Sequence, residues 1–318
     1  MFSPYPRNEI LTAIFMGYKN GKTIADRVLP RTSAIGSTKF KYQVYQANQF
    51  AHVPDTHVGR RTAINEVEFC GEERRAEMGE RALSHVFVPR DFVGVADPDK
   101  KKAAATAALA DIMSLDREQR VAKLVFDPAN YGLNFALANG NDYFDDEYTD
   151  PVKVIRTAIA APLIKPNVMT LGRKEWYALA THPRILAAVT RAQGNIGSIG
   201  AAGIATLDEV ARLFELDEVL VGEALIANKS DASGVLKPIW SGNVSFTYRD
   251  MSAIGNAGQG FGNNLTFGFT AHNDQYVNSY HDDKQGTQGV EVVRAVSEDA
   301  EIICAPNAGF LLQGVLSA

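Results

Sequence analysis

The sequence predicts an α+β fold, in which one long helix accompanies several short helices and separate β-strands. Two observations carry this prediction. Residues 99–126 contain no glycine or proline and are rich in alanine, which is typical of a single long helix. The row from Lys39 to Tyr45 alternates apolar and polar residues, with the two-residue period of a half-buried strand. Shorter segments of both kinds follow along the rest of the chain.

Residues 1 to about 35 are predicted to form an arm, because proline and glycine are scattered through them. The arm contains one short helix, predicted at Asn8 to Met16. Beyond the strand that begins at Lys39, a second alternating segment is predicted at Asn65 to Phe69. Residues 46–82 carry many charges of both signs and few large aliphatic side chains. We expect them to form an extended, solvated excursion, suited to polar contacts with a neighbouring molecule or exposed as a loop without a partner.

The long helix has clear start and stop signals. Asp97 is expected to be its N-cap and Pro98 its first residue, while Asp127-Pro128 is expected to end it. A helix of about 28 residues spans roughly 42 Å. Its apolar stripe is predicted from residues at near-helical spacing: Leu109, Ile112, Met113, Val121, Leu124 and Val125.

The remaining elements alternate in type. Asp150-Pro151 is expected to open a second helix that runs to Pro162, and further helices are predicted at Glu175 to Arg191 and at Leu207 to Phe214. Residues 252–289 are rich in Gly, Asn, Ser and Gln and are expected to be the least structured stretch, apart from the alternating Leu265, Phe267 and Phe269. The predicted strands are Glu218 to Ala224, Val244 to Tyr248, Val290 to Val296, Glu301 to Cys304 and Gly309 to Leu316.

Composition excludes several classes of protein. The 318 residues carry 32 Lys and Arg against 37 Asp and Glu, so the positive charge of a dedicated nucleic-acid-binding protein is missing from the chain as a whole. The two cysteines, Cys70 and Cys304, lie far apart, which excludes a disulfide scaffold, a zinc ribbon and a thioredoxin-like site and indicates a reducing compartment. The N-terminal segment lacks a signal-peptide pattern, and no apolar run reaches the roughly 18 residues that cross a bilayer. We therefore expect a soluble protein that is made in the cytoplasm and has no membrane partner.

No constellation of residues predicts catalysis, a cofactor or a metal site. The groups considered for a metal or for acid–base chemistry are Asp55 with His57, His272 with Asp274, and the row His281-Asp282-Asp283. None of them has a third ligand at a suitable spacing, so we interpret them as solvated polar residues of loops.

The glycine rows do not predict a phosphate-binding loop, and the candidate nucleophiles do not predict a catalytic site. The rows Gly194, Gly197, Gly200, Gly203 and Gly258, Gly260, Gly262 match neither phosphate-binding pattern. Ser198 lies in a row one residue short of the G-x-S-x-G elbow, and Cys70 follows an acidic strand that disfavours its thiolate. Trp176 and Trp240 are expected to pack in the core, with an interface anchor as the alternative.

Taken in order, the arm, the charged extension, the long helix and the mixed remainder resemble the major capsid protein of tailed bacteriophages, the fold first described for phage Hong Kong ninety-seven. The resemblance covers nearly the whole chain. It is carried by residues 23–30 (TIADRVLP), 39–42 (KFKY), 116–122 (DREQRVA), 126–131 (FDPANY), 149–151 (TDP), and by Trp176 with His182-Pro183.

This resemblance implies four parts. They are an N-terminal arm at residues 1–37, an extended β-hairpin loop at 38–88, a peripheral domain with a long spine helix at 89–165 and 290–318, and an axial domain at 166–289.

The resemblance also implies a structural protein, not an enzyme, with no cofactor. Hexamers and pentamers of the chain would form the icosahedral head of the virion, assembled in the host cytoplasm around double-stranded DNA that is held without sequence-specific binding. A separate scaffolding protein, a portal and a possible decoration protein are the other implied partners, and no covalent crosslink is predicted.

Two alternatives remain open at this point. An encapsulin-type nanocompartment shell has the same fold but holds cargo enzymes instead of DNA. A soluble hydrolase that uses the row His281-Asp282-Asp283 is an alternative from a different class, and it would require a pocket with perturbed titration.

Overall fold

The computed structural model describes residues 5–44, 56–58, 72–94, 96–137, 143–192, 203–227, 235–252 and 266–317. Its helices are α1 (Glu9–Gly17), α2 (Ala25–Val28), α3 (Pro98–Val125), α4 (Pro151–Ala160), α5 (Arg173–Thr181), α6 (Pro183–Ala192) and α7 (Leu207–Phe214). Its strands are β1 (Lys39–Val44), β2 (Glu72–Glu77), β3 (Gly79–Phe87), β4 (Leu133–Ala136), β5 (Val168–Gly172), β6 (Glu218–Gly222), β7 (Leu225–Ala227), β8 (Leu236–Pro238), β9 (Asn243–Thr247), β10 (Gly268–Asp282), β11 (Val290–Ile303) and β12 (Gly309–Gln313). The mixture confirms the α+β class.

A five-stranded mixed sheet separates two hydrophobic cores. Its strand order is β4-β12-β9-β5-β6, with β4 parallel to β12 and β5 parallel to β6. Successive side chains of each strand point to opposite faces. One face packs against α4 to α7 around the fully buried Ile155, Met169 and Phe246. The other face packs against α2, the C-terminal half of α3 and the fully buried Trp240.

A three-stranded antiparallel sheet, in the order β10-β11-β3, forms the second layer of structure. α1 and the N-terminal half of α3 cover one of its faces, where Leu11, Phe15 and Leu109 are buried. The arm runs along β10: the Asn8 N–H donates to the Val277 carbonyl and the Thr270 N–H donates to the Pro30 carbonyl, both at 2.9 Å. The backbone groups of β10 that face away from β11 are therefore hydrogen-bonded at both places.

Start and stop signals predicted the helices well. Asp97 caps α3 and its carboxylate accepts the Lys100 N–H at 3.2 Å, while the helix ends at Val125, just before Asp127-Pro128. α7 has the predicted bounds, and α1 and α4 agree with prediction to within two residues. The predicted stripe of α3 needs one correction, because the Ile112 side chain is 55% exposed.

The expectation that residues 252–289 are little structured is wrong for the 15 residues of β10. This strand was not predicted because its sequence is rich in polar residues, and these bind side chains of neighbouring elements. The Asp274 carboxylate accepts a hydrogen bond from Arg7 of the arm at 2.6 Å, and the Asn273 amide donates to Glu298 of β11 at 2.5 Å. Residues 253–265, which include Leu265, lie outside the described residues.

The predicted strands Val290 to Val296 and Glu301 to Cys304 are one strand, β11, of 14 residues. The polar residues between them remain extended and pair with residues 79–81 of β3. Asp299 is buried there between Arg81 and Arg120, at 3.5 and 3.1 Å, so its charge is compensated.

The predicted helix from Glu175 to Arg191 is two helices, α5 and α6, that meet at His182. Pro183 lacks the N–H that a continuing helix needs, but it suits the first position of α6. Strand β5 immediately before α5 was not predicted, because all five of its residues are buried and its sequence therefore lacks alternation.

The buried side of α3 carries a carboxylate that binds the arm. Glu118 is fully buried and accepts the N–H groups of Ile24 and Ala25 at 2.8–3.0 Å and the indole N–H of Trp240 at 2.6 Å. Burial raises the pKa of Glu118 above its ordinary value, although these hydrogen bonds and the nearby Arg117 oppose the rise.

Two arginines on the same turn of α3 complete the connection. Arg117 is buried and donates to the Leu29 carbonyl and to the Thr270 hydroxyl, both at 3.1 Å, and also to Asp26. Arg120 pairs with Asp299 and Glu301 of β11. We call α3 the spine helix, and Arg117, Glu118 and Arg120 the spine cluster, since these three residues join that helix to the arm, to the loop of Trp240 and to the three-stranded sheet.

Replacing Glu118 with glutamine is expected to destabilise the fold by about 2 to 3 kcal/mol, because the new NH2 group replaces one carboxylate oxygen and faces a buried N–H group, of Ala25 or of the Trp240 indole, that loses its acceptor. The measurement is denaturant unfolding of the full-length chain followed by tryptophan fluorescence. The control is Glu223→Gln, which removes the same charge from an exposed residue and is expected to unfold like the parent. Equal midpoints for both variants would contradict the structural role of Glu118.

Glu215 after α7 has the left-handed backbone conformation, with φ 54° and ψ 44°, and its exposed side chain pairs with Lys165. Glycine has no Cβ to strain there, so Glu215→Gly is expected to be more stable than Glu215→Ala by about 1 kcal/mol. Both variants lose the ion pair, and their difference therefore isolates the backbone effect. Thermal melting of the two variants measures it, and an alanine variant that melts at or above the glycine variant would contradict it.

Candidate assembly surfaces

The β1–β2 ribbon is an exposed, charged extension. The two strands pair antiparallel, with Lys39 opposite Glu77. At its base, Phe40 and Met78 are buried against Phe269 of β10. The strand predicted at Asn65 to Phe69 lies outside the described residues, so the described partner of β1 is β2.

The charges of this ribbon pair with one another. Lys41 lies 2.6 Å from Glu73, Arg74 lies 3.1 Å from Glu72, and all four side chains are more than half exposed. Exposed ion pairs of this kind contribute about 0 to 1 kcal/mol each. They can therefore be exchanged for pairs with a neighbouring molecule at little cost, which suits a contact surface.

The N-terminal end of the arm is held by aromatic and charged contacts. The Tyr5 ring stacks on Tyr280 of β10 with 3.9 Å between centroids, and the Arg7 guanidinium lies 4.1 Å from the centre of the Tyr276 ring. Arg294 of β11 lies within cation–π distance of both Tyr5 and Tyr280. These contacts hold residues before α1 against the three-stranded sheet.

The row His281-Asp282-Asp283 lies at the end of β10 and in the turn that follows. The His281 ring is 3.0 Å from Asp283 and 3.3 Å from Glu291, which in turn pairs with Lys102 of α3 at 3.0 Å. Asp282 accepts the N–H of Lys284 in the same turn. The side chains thus organise an exposed turn between two strands.

The pair His272 and Asp274 lies at the bulge of β10, and both residues face the arm. Asp274 binds Arg7. Burial, together with the nearby Arg31, lowers the pKa of His272. Of the third candidate pair, His57 falls in the short described stretch at 56–58, whereas Asp55 lies outside the described residues.

Most of the glycines and nucleophiles considered in the sequence fall on residues that the structure does not describe: Gly194, Gly197, Gly200, Ser198, Gly258, Gly260, Gly262 and Cys70. Cys304 is described and buried, and its thiol lies 2.9 Å from the Thr266 carbonyl. Burial raises the pKa of the Cys304 thiol to about 12, which disfavours the reactive thiolate.

Both tryptophans are buried, as expected of core residues. The prediction missed the spine cluster, although residues 116–122 were among those that carried the family resemblance. A signal was present: Arg117 and Glu118 precede the buried Val121 by four and three residues, which places them on the same side of the helix. Charged residues on a buried stripe indicate a built ion-pair network.

Within the described ranges, no three histidine, cysteine, aspartate or glutamate side chains are grouped so that they could hold a metal ion. None of the helices described is both long and apolar enough to cross a membrane.

Comparison with known proteins finds a curated relative over the whole length of the chain. The chain is 33% identical over 320 residues to the major capsid protein of Pseudomonas phage JBD67, a match that covers 99% of each chain. No protein-family model matches the sequence.

Solved structures share the fold at low sequence identity. A phage-related protein of Bordetella bronchiseptica RB50 superimposes with a TM-score of 0.74 at 20% identity, over 99% of this chain and 100% of that one. The capsid of cyanophage P-SCSP1u matches with a TM-score of 0.56 at 10% identity, over 100% of this chain and 91% of that one. The fold is therefore that of phage capsid subunits. Together with the 33% identity to a curated capsid protein over nearly its full length, this shows that the chain belongs to the family of phage major capsid proteins.

Proposed function

We propose that hexamers and pentamers of this chain close into the icosahedral head of a tailed phage and enclose packaged double-stranded DNA. As a phage major capsid protein, the chain is a structural, non-enzymatic subunit of the virion capsid that assembles with copies of itself. The observation that carries the proposal is the match to a phage capsid protein over 99% of both chains. The curated relative comes from a phage, which favours a DNA-containing head over an encapsulin-type compartment or a hydrolase.

The four-part division is proposed with two adjustments. The starting division is an arm at residues 1–37, an extended loop at 38–88, a peripheral domain at 89–165 with 290–318, and an axial domain at 166–289. Pairing of β11 with both β10 and β3 supports moving β10 and β3 to the peripheral domain, which already contains α3. Pairing of β12 with both β4 and β9 supports moving β4 and β12 to the axial domain.

The extended loop is proposed to lie across an adjacent subunit. Its support is the exposed ribbon of β1 and β2, whose ion pairs are exchangeable and whose base is anchored by Phe40 and Met78. The loop residues Arg60 and Arg61, proposed to join such contacts with Glu72 and Arg75, lie outside the described residues.

The charge of the chain suits a container for DNA. A formal net charge of −5 gives a wall that repels phosphates on average, which permits dense filling without sequence-specific binding. A separate scaffolding protein, a portal and a possible decoration protein are the further partners we propose for assembly.

Closed shells are expected when the full-length chain is expressed with the neighbouring genes of its native cluster and viewed by negative-stain electron microscopy. Expression of the chain alone, with a sizing column beside it, is expected to yield shells or capsomer-sized rings, because closed point-group symmetry satisfies every repeated contact. A compact monomer under both conditions would contradict the proposal.

A further inference from the structure

A shallow, wide-open groove of about 670 Å³ lies on the exposed side of α4. It is lined by Asp150, Val152, Lys153, Arg156, Thr157, Ala160 and Ala161. The opposite side of the helix, with Ile155 and Ala158, is buried in the core. The position of the groove is therefore fixed by the fold, and we call it the α4 groove.

The α4 groove has an excess of positive charge. Lys153 and Arg156 are exposed, and in the described part of the chain neither has a carboxylate within ion-pair distance. Asp150, the one acidic residue of the lining, is already held by Arg184 at 3.1 Å. Glu215 is paired with Lys165, whose hydrogen bond and charge lower the pKa of Glu215, with a smaller contribution from the charge of Arg156. Val152 beside the two cations, and Ala160 and Ala161 one turn further along the helix, supply an apolar floor.

The chain presents a complementary element just before α4. Residues 145–148, which we call the acidic turn, read Asp-Asp-Glu-Tyr. Its Tyr148 side chain is 88% exposed, the largest exposed fraction among the large hydrophobic side chains described. Glu147 is exposed as well.

The backbone of the acidic turn is held in place. The Tyr148 N–H donates to the Asp146 carboxylate at 3.0 Å, and the Tyr148 carbonyl accepts from Arg184 at 3.3 Å. The Phe144 N–H donates to the Val315 carbonyl at 2.9 Å. A rigid turn with a projecting tyrosine loses little conformational entropy on binding, and tyrosine is enriched among residues that dominate interfaces.

We propose that the acidic turn of one copy packs on the α4 groove of a second copy, with the Tyr148 ring on the apolar floor and the Glu147 carboxylate beside Lys153 and Arg156. The inference rests on the proposed function, because it requires copies of the chain to associate. Groove and turn adjoin on one chain, so the patch has a negative and a positive end. A two-fold axis brings each end against the opposite end of its partner, which makes the contact reciprocal.

Charge exchange tests the contact in the full-length chain. Lys153→Glu and Glu147→Lys are each expected to reduce the fraction of chain in particles about tenfold, because like charges then face each other in every copy of the contact. The variant with both changes is expected to assemble like the parent. The control Lys123→Glu makes the same charge change on the exposed side of α3 and is expected to assemble normally. Single variants that assemble normally, or a double variant that stays defective, would overturn the proposal.

A cysteine pair tests whether the contact joins two copies. In particles of the variant Glu147→Cys/Lys153→Cys, oxidation is expected to give a dimer band on a non-reducing denaturing gel, whereas each single cysteine variant remains a monomer. A monomer band alone from the paired variant would overturn the proposal. Parental particles are made in parallel: if they fail to form, the proposed function fails, and if they form while the variants behave as the parent, only this inference fails.

Discussion

The burial of charge on the spine helix is the constraint on which the rest of the structure depends. An ionised group in an apolar interior is costly unless its partners are complete, and the partners of Glu118 and Arg117 come from the arm, from the loop of Trp240 and from β10. No local segment can satisfy these groups alone. The charged groups therefore tie the helix to the arm and to both sheets, and they hold α2, a single turn of helix in a segment with no core of its own.

These contacts explain in physical terms the segments that carry the family resemblance. Residues 23–30 supply the N–H groups and carbonyls bound by the spine cluster, and residues 116–122 contain the cluster itself. In residues 126–131, the Tyr131 hydroxyl lies 2.6 Å from the Val125 carbonyl and 2.8 Å from Ser245 of β9, which ties the end of the spine to the five-stranded sheet. His182 sits where α5 ends, and its ring nitrogen lies 3.0 Å from the Asp146 carbonyl.

Sequence reasoning succeeded where a signal is local and failed where a partner is distant. α3, α4 and α7 were predicted closely. The residues that cap these helices are adjacent to them in the sequence. β10 was missed because its polar side chains bind Arg7 and Glu298, residues far away in the sequence. The α4 groove was not predicted for a similar reason. A lysine and an arginine three residues apart are common on the exposed side of any helix. Only the packing of the opposite side of α4 shows that these two residues line a groove.

The five-stranded sheet is packed on both of its faces, and this limits how far each subunit can bend when identical chains form a curved wall. Met169 and Phe246 fill one side and Leu220 and Leu311 the other, so bending the sheet would open voids in two cores at once. The subunit is therefore stiff across this sheet. In the head proposed above, differences in curvature between five-fold and six-fold positions would then be accommodated at the contacts between subunits, where exposed ribbons and turns can change partners while the core of each subunit stays unchanged.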